Sequence, residues 1–376
     1  MNVWTQPSDL VHVDRVVELS TALNALGEAI DHTGSFPHAA IDAVRQAGLL
    51  MAPFNRQHGG TSLGCKGQAD DLVHVLRLIG AGDLSVGRLY EGHVNAVHLV
   101  QRYGRPEQIE RLRDAVRDGA MSAVWNAEGA QPLRFNADRD GWVVEGSKIL
   151  ASGAGSITRP LVTGLAGDDH LMAVLDLDAS HPVDMSRWTP QGMRSSATGT
   201  IDLTGHRLLA SDIIGGAGDY KRQPGFSGGA WRFCAVQLGA IERLVDLFRQ
   251  ALNERGRNGD PFQQARIAAS VAAAETAALW VEKAARLLDD ETLPEAEIVA
   301  YTGLTRMVTE RAGLDVMEHV HRGIGLMSFM WPDPVERISR DLATYLRQPA
   351  PDGAMADAAA TVLAATPPLR ALWGGR

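Results

Sequence analysis

The sequence predicts an α+β fold that is mostly α, and three observations carry that expectation. Apolar residues recur at helical spacing up to about residue 119, change to short alternating runs from about 120 to 215, and return to helical spacing from about 230. The predicted organisation is a helical domain over 1–119, an antiparallel β-domain over 120–218 and a helical bundle over 219–376.

In the first zone Val13, Val16, Val17, Leu19, Leu23 and Leu26, and then Leu72, Val75, Leu76, Leu78 and Ile79, form helical stripes. Breaks fall at HTGSF (32–36), at Pro53 with HGG (58–60), and at Tyr103-Gly104-Arg105-Pro106, so four to six helices are expected. Ala120–Trp125, Trp142–Ile149, Leu171–Leu177 and Thr200–Leu203 read as strands. Asp140-Gly141 between two alternating stretches predicts a hairpin with those two residues at φ > 0. Residues 235–255, 263–288 and 300–322 are long amphipathic blocks, and Ala-rich faces of that kind let helices approach closely. The last dozen residues, with two prolines and Gly374-Gly375, are expected to be a loose tail.

Composition narrows the function. The 376 residues are 45% hydrophobic with a formal net charge of −9, which disfavours a nucleic-acid or anionic-membrane surface and points to a small molecule or another protein as partner. Cys65 and Cys234 lack metal-ligand spacing, so no metal site or disulfide is expected and a reducing, cytoplasmic location fits. The first residues, MNVWTQPSDLVHVDRVVEL, show no export signal, and no run of about 18 apolar residues occurs. Neither GxGxxG opening a helix nor GxxxxGK[ST] is present.

Five strings in order, AGLLMAPFNRQHGG (47–60), YGRPEQIERL (103–112), DGWVVEGSKILASGAG (140–155), GMRSSATGTIDLTGHRL (192–208) and PVERISRDLATY (334–345), resemble the acyl-CoA dehydrogenase superfamily. The resemblance implies an N-terminal helical domain, a middle antiparallel β-domain and a C-terminal four-helix bundle. It also implies FAD, with FMN as alternative, between the β-domain and the bundle. It places Trp125, Asn126, Ser152 and Gly153 near the flavin ring, and Arg255, Gln263, His319, Gly323 and Gly325 near the diphosphate. A homotetramer, or failing that a homodimer, is implied because the family's diphosphate site spans two chains.

Removal of an α-proton from an acyl thioester needs a carboxylate against the substrate. The two family positions for it fall at Pro349 and near Gly229, and neither residue can accept a proton. Glu91, Asn95 and His98, at i, i+4 and i+7, offer a substitute on one helix face with His93 on another, and Glu91 and His98 are the candidate bases. Tyr345 could donate a hydrogen bond, and Arg347 could hold an anionic group. The resemblance leaves three functions open: oxidation of an acyl-CoA to an enoyl-CoA with an electron-transfer flavoprotein as acceptor, a flavin monooxygenase or oxidase fed by a flavin reductase, and a non-catalytic helical scaffold. Ser152-Gly153 and Asp260-Pro261 resemble the monooxygenase pattern.

Overall fold

The structure, a computed structural model, describes residues 13–178, 181–347 and 350–374. The N-terminal residues used above against an export signal, up to residue 12, and Pro349 lie outside the described residues. Among the described residues five helices come first: α1 (Val13–Ile30), α2 (His38–Gln46), α3 (Ala69–Gly82), α4 (Leu84–Tyr103) and α5 (Pro106–Arg117). Each expected break is used. The stretch from 53 to 60 forms a short 3-10 turn, and Pro106 starts α5 at the first helical position, where its missing N–H costs nothing.

Ten strands follow among the described residues: β1 (Ser122–Trp125), β2 (Arg134–Asp138), β3 (Gly141–Glu145), β4 (Ser147–Ala151), β5 (Arg159–Ala166), β6 (Asp169–Val174), β7 (Val183–Asp184), β8 (Gly199–Asp202), β9 (Arg207–Leu209) and β10 (Ile213–Ile214). One sheet runs β10-β6-β5-β2-β3-β9 with β1 also on β5, and β4-β8-β7 form a second. The pairing is mainly antiparallel, but β1 and β2 run parallel to β5. The long excursion between β1 and β5 supplies the crossover a parallel pair needs. The hairpin forms between β2 and β3, yet its loop is Arg139-Asp140, because Gly141 already pairs with Asp138. Neither Asp140 nor Gly141 has positive φ. Gly141 is required for another reason: a Cβ there would lie 2.0 Å from the Leu208 carbonyl oxygen of β9. The expected single strand 142–149 is split at Gly146 (φ 109), which sends β3 and β4 into different sheets.

The bundle contains a short α6 (Gly225–Gly228), then α7 (Trp231–Glu254), α8 (Pro261–Leu287), α9 (Glu295–Ile324), α10 (Pro334–Tyr345) and α11 (Pro351–Ala364). Asp260 caps α8 by accepting the Phe262 and Gln263 N–H groups at 2.9 and 3.3 Å, so Asp260-Pro261 has a structural role as a helix start. The tightest crossing joins the first zone to the third. A Cβ on Gly80 of α3 would lie 2.1 Å from the Val236 oxygen, and one on Gly239 of α7 would lie 1.9 Å from the Arg77 oxygen. The last described residues, up to Gly374, are not a loose tail. Leu372 and Trp373 are buried, and the Trp373 indole donates to the Glu297 carbonyl at 2.9 Å with its ring edge on Tyr301. Among the described residues no helix is long and apolar enough to cross a membrane.

Candidate functional site

Where the β-domain offers residues 125–128 and 148–153, a buried lysine organises the backbone. Lys148 is 0% exposed, and its ammonium donates to the Asn126 carbonyl at 3.3 Å, to Thr163 Oγ1 at 3.2 Å and to the Glu128 carboxylate. Burial lowers its pKa, against the opposing pull of Glu128. Thr163 in turn donates to Asn126 Oδ1 at 2.8 Å, which leaves the Asn126 amide N–H groups to face outward. Trp125 is a core residue whose indole donates to the Ser152 carbonyl at 3.0 Å, so it props Ser152 from behind. The register of β4 on β8 shifts between Lys148 and Ala151, and at that bulge Leu150 adopts φ 50 with its side chain 62% exposed. Ser152 accepts a hydrogen bond from Thr198 at 3.3 Å, which frees its own proton to be donated. Gly153 has φ 72, and a Cβ would meet Ile157 at 2.5 Å, so Ser152-Gly153 is dictated locally by packing.

Thus an apolar side chain, a hydroxyl and a primary amide stand together on a braced edge.

A second cluster forms where α7 and α9 end and α8 begins. Arg255 donates to the Ile324 carbonyl at 2.9 Å. Gly323 is packed so closely that a Cβ would lie 2.2 Å from the Phe248 ring and 3.0 Å from Gln263 Oε1. Gln263 is 2% exposed, and its Oε1 has no partner among the described residues. An acceptor in that state loses water without replacement, and turning the amide over would present N–H groups to an anion instead. Gly325 has φ 82 and ψ −155, a conformation essentially reserved for glycine. Arg255, Gln263, Gly323 and Gly325 are therefore one constellation. His319 is half-buried one turn earlier on α9. The histidine engaged nearby is His321, stacked on Phe329 at 4.2 Å and bonded to Ser328 at 2.9 Å.

The third cluster lies on α4, whose start is capped by Asp83 accepting the Val86 N–H at 2.9 Å. Glu91 is 3% exposed, and both its oxygens are engaged: Arg88 donates to Oε2 at 2.6 Å and the Asn95 amide donates to Oε1. Arg232 of α7 donates to Asn95 Oδ1 at 3.2 Å, and burial pushes its pKa down. His98 bonds the Leu63 carbonyl at 3.0 Å, and burial, helped by Arg232, pushes it down to about 3. His93 is likewise held neutral at about 4 by burial, bridging the Leu50 carbonyl and the Ser122 N–H. Tyr345 is buried with its hydroxyl unpartnered, and burial, then Glu91, raises its pKa well above the usual range. The charges of Glu91 and Arg88 act on Tyr345, so Glu91 and Tyr345 share one neighbourhood, while His98 borders it through Arg232.

Two expectations change. His98 cannot cycle a proton near neutrality, because its imidazolium would lose water in a buried site beside Arg232. Arg347 is exposed and paired with Glu310 of α9, so its guanidinium is already matched. Gly229, one of the two base positions, sits beside a cation: its Cβ would be 2.7 Å from the Arg232 guanidinium. The sequence reading missed Arg88, Arg232, Thr163 and Thr198. Arg88 was within reach, three residues before Glu91 on the same helix. A cavity of about 470 Å³ opens elsewhere, between α2 and the ends of β5 and β6. Its Arg45 and Arg159 are paired with Asp42 and Asp176, each at 2.6 Å.

Two family models match the chain: acyl-CoA dehydrogenase, N-terminal domain, over residues 18–120, and acyl-CoA dehydrogenase, C-terminal domain, over residues 217–346. The chain belongs to the acyl-CoA dehydrogenase family. Members of this family are flavoprotein oxidoreductases. A dibenzothiophene monooxygenase of Rhodococcus erythropolis is 25% identical over 203 residues, covering 49% of this chain and 46% of that protein, so the match spans under half of that relative's length. The Bacillus subtilis protein named "Probable acyl-CoA dehydrogenase YngJ" is 24% identical over 339 residues, 84% of this chain and 86% of its own. FMN-bound TdsC from Paenibacillus sp. A11-2 superposes with a TM-score of 0.83 at 17% identity, covering 96% of this chain and 99% of that one. Methanesulfinate monooxygenase MsuC from Pseudomonas fluorescens does so with 0.81 at 18%, covering 99% and 100%. These likenesses establish the fold across nearly the whole chain.

Proposed function

We propose that this family member is a flavin-dependent oxidoreductase acting as an oxygenase on a small organic substrate, with reduced flavin supplied by a separate reductase. The observation that carries the reading is the state of the three candidate positions for the base, none of which offers a free carboxylate. Pro349 accepts no proton, Gly229 lies against Arg232, and the buried Glu91 has both oxygens engaged by Arg88 and Asn95. α,β-Dehydrogenation depends on such a base, whereas oxygen activation at a flavin does not.

The residues present fit a flavin. Leu150 offers an apolar contact, while the Ser152 hydroxyl and the Asn126 amide offer donors of the kind that stabilise a reduced ring. The unpartnered Gln263 amide, the close backbone at Gly323 and the Arg255 guanidinium suit the adenosine-diphosphate half of FAD, with FMN as the alternative. A bound flavin would supply the two-electron chemistry. The chain's residues hold its ring edge and exclude water, and the Glu91–Arg88–Tyr345 neighbourhood presents fixed charge to the substrate. Exposed Phe262, Leu326, Met327, Phe329, Met330 and Trp331 flank the diphosphate cluster, which supports a homotetramer or homodimer in which a second chain covers that end. A cytoplasmic location accompanies this reading.

The second reading, dehydrogenation of an acyl-CoA with an electron-transfer flavoprotein as acceptor, is favoured by one observation: Glu91 is a buried carboxylate beside Tyr345. Anaerobic mixing separates the two. Bleaching of the bound flavin only by NADH plus a flavin reductase, followed by oxygen consumption, supports the oxygenase, whereas bleaching by acyl-CoAs alone overturns it. A colourless protein that takes up neither FAD nor FMN would overturn both and leave a scaffold.

A further inference from the structure

α10 carries a buried carboxylate that the site above does not use. Asp341 accepts the N–H of Met193 at 2.5 Å. Along the same helix Thr344 Oγ1 accepts the Gly192 N–H at 3.0 Å, and Arg340 donates to the Gln191 carbonyl at 3.0 Å. One helix therefore grips three consecutive residues of the loop that leads into β8. In that loop two residues other than glycine, Met193 (φ 61) and Ala197 (φ 43), are held left-handed, a strain that persists only where surrounding contacts impose it.

The far side of the same loop holds the flavin-facing edge. The Ser196 and Ala197 carbonyls accept the N–H groups of Gly153 and Ala154 at 2.9 and 3.2 Å. Ser196 Oγ donates to the Met193 carbonyl at 2.8 Å and stands 2.8 Å from Thr198 Oγ1, and Thr198 donates to Ser152 at 3.3 Å. Each hydroxyl has one proton. Ser196 spends its proton on the Met193 carbonyl and Thr198 spends its own on Ser152, so the Ser152 proton is left for a ligand.

We propose that Asp341 is a positioning residue: by fixing Met193 it sets the 192–198 loop and, through Ser196 and Thr198, aims the Ser152 hydroxyl at the flavin. The last step rests on the reading of Ser152 as flavin-facing given under Proposed function. The charges around Asp341 suit the role. Asp83 at the start of α4 and Asp31 after α1 face it, but Arg337 of its own helix holds Asp83 at 3.0 Å, and Arg340 holds Asp31 at 2.7 Å and Glu336 at 2.6 Å. Arg337 still pulls the Asp341 carboxyl down through its charge, but both arginines hydrogen-bond elsewhere, and the Met193 amide is the group bonded to Asp341. Burial, then Asp83, pushes the carboxyl up to about 7, so the strength of the grip changes near neutrality.

Two tryptophans report on the path without any flavin. The Trp188 indole donates to the Arg194 carbonyl within the loop, and the Trp125 indole donates to the Ser152 carbonyl at its end, each at 3.0 Å. In nitrogen–proton correlation spectra of the full chain, both indole resonances should move through a step centred near pH 7, and Asp341→Asn should abolish it. Thr198→Val, which keeps shape and removes only the last hydroxyl link, should shrink the step at Trp125 and spare it at Trp188. Each variant should weaken flavin binding by about fivefold, the worth of one hydrogen bond, and the double variant by no more than either alone. A Trp125 resonance indifferent to both substitutions, or fully multiplicative losses of flavin affinity, would overturn the proposal. Should Asp341→Asn not fold, Thr198→Val decides by the same two measurements. A wild-type protein that takes up no flavin but shows the indole pattern would remove the cofactor reading and leave the link from Asp341 to Ser152 standing.

Discussion

The two ends of the candidate flavin site are built differently. At the ring end Lys148, Glu128, Thr163 and Asn126 bond one another and Trp125 and Thr198 hold Ser152, while Leu150, the Ser152 proton and the Asn126 amide remain to meet a ligand. At the diphosphate end Gln263 keeps a buried acceptor without a donor, Arg255 is exposed, and large apolar side chains stand beside them in solvent. One end is finished by the chain itself, and the other is shaped but incomplete. The difference locates preorganisation at the ring, where a fixed environment tunes chemistry, and adaptation at the tail, where only affinity is at stake.

Breaking the finished end should have the largest effect. Lys148→Met removes three hydrogen bonds and strips the Glu128 carboxylate of its cation, leaving it the Leu133 N–H, at a cost of about 3 kcal/mol in stability by chemical denaturation, and flavin uptake should be lost. Retained flavin binding would show that the lysine braces nothing the ring uses. The closed character extends to α4. A histidine whose folded pKa is depressed stabilises the fold above its unfolded value of about 6.5 and loses that contribution as pH falls towards about 3. Replacing His98 with Gln should therefore flatten the decline in stability below pH 6.5 by up to about 1.4 kcal/mol per pH unit. Denaturation midpoints at pH 5, 6 and 7 would check it, and activity between pH 6 and 8 should show no titration from this residue.

At the unfinished end the sign reverses. Gln263→Leu deletes the orphaned acceptor, so the flavin-free protein should gain about 1 kcal/mol while FAD affinity falls and FMN affinity changes less. Equal losses for the two flavins would mean that Gln263 does not face the adenosine half. The smallest effect is expected at Arg347→Ala, an exposed pair with Glu310, at under about 1 kcal/mol. Its KM for any substrate should stay unchanged, since Arg347 is matched on the bundle surface.

The order of helices, strands and helices could be read from the sequence because the hydrophobic period changes from 3.6 to 2 and back over long stretches. The hairpin turn was misplaced by one residue because Gly141 answers to the carbonyl of Leu208, a contact no local pattern encodes. The loose tail was wrong for a related reason: Trp373 finds its partner on Glu297, far away in sequence. The resemblance brought together Arg255, Gln263, Gly323 and Gly325, and the structure gathers them into one corner. What sequence could not supply was partnership. Glu91 reads as a free base until Arg88 and Asn95 are seen on its oxygens, and nothing in FSGGAWRF marks Arg232 as the cation beside them.

The glycine crossing of α3 and α7 joins positions roughly 160 residues apart, with the whole β-domain strung between them. Until α7 has left the ribosome, the Gly80 face of α3 has nothing to close against. The first helices must therefore wait, half-assembled, until the chain has been synthesised through α7, and a premature stop ahead of residue 239 would strand an open apolar surface for chaperones to hold.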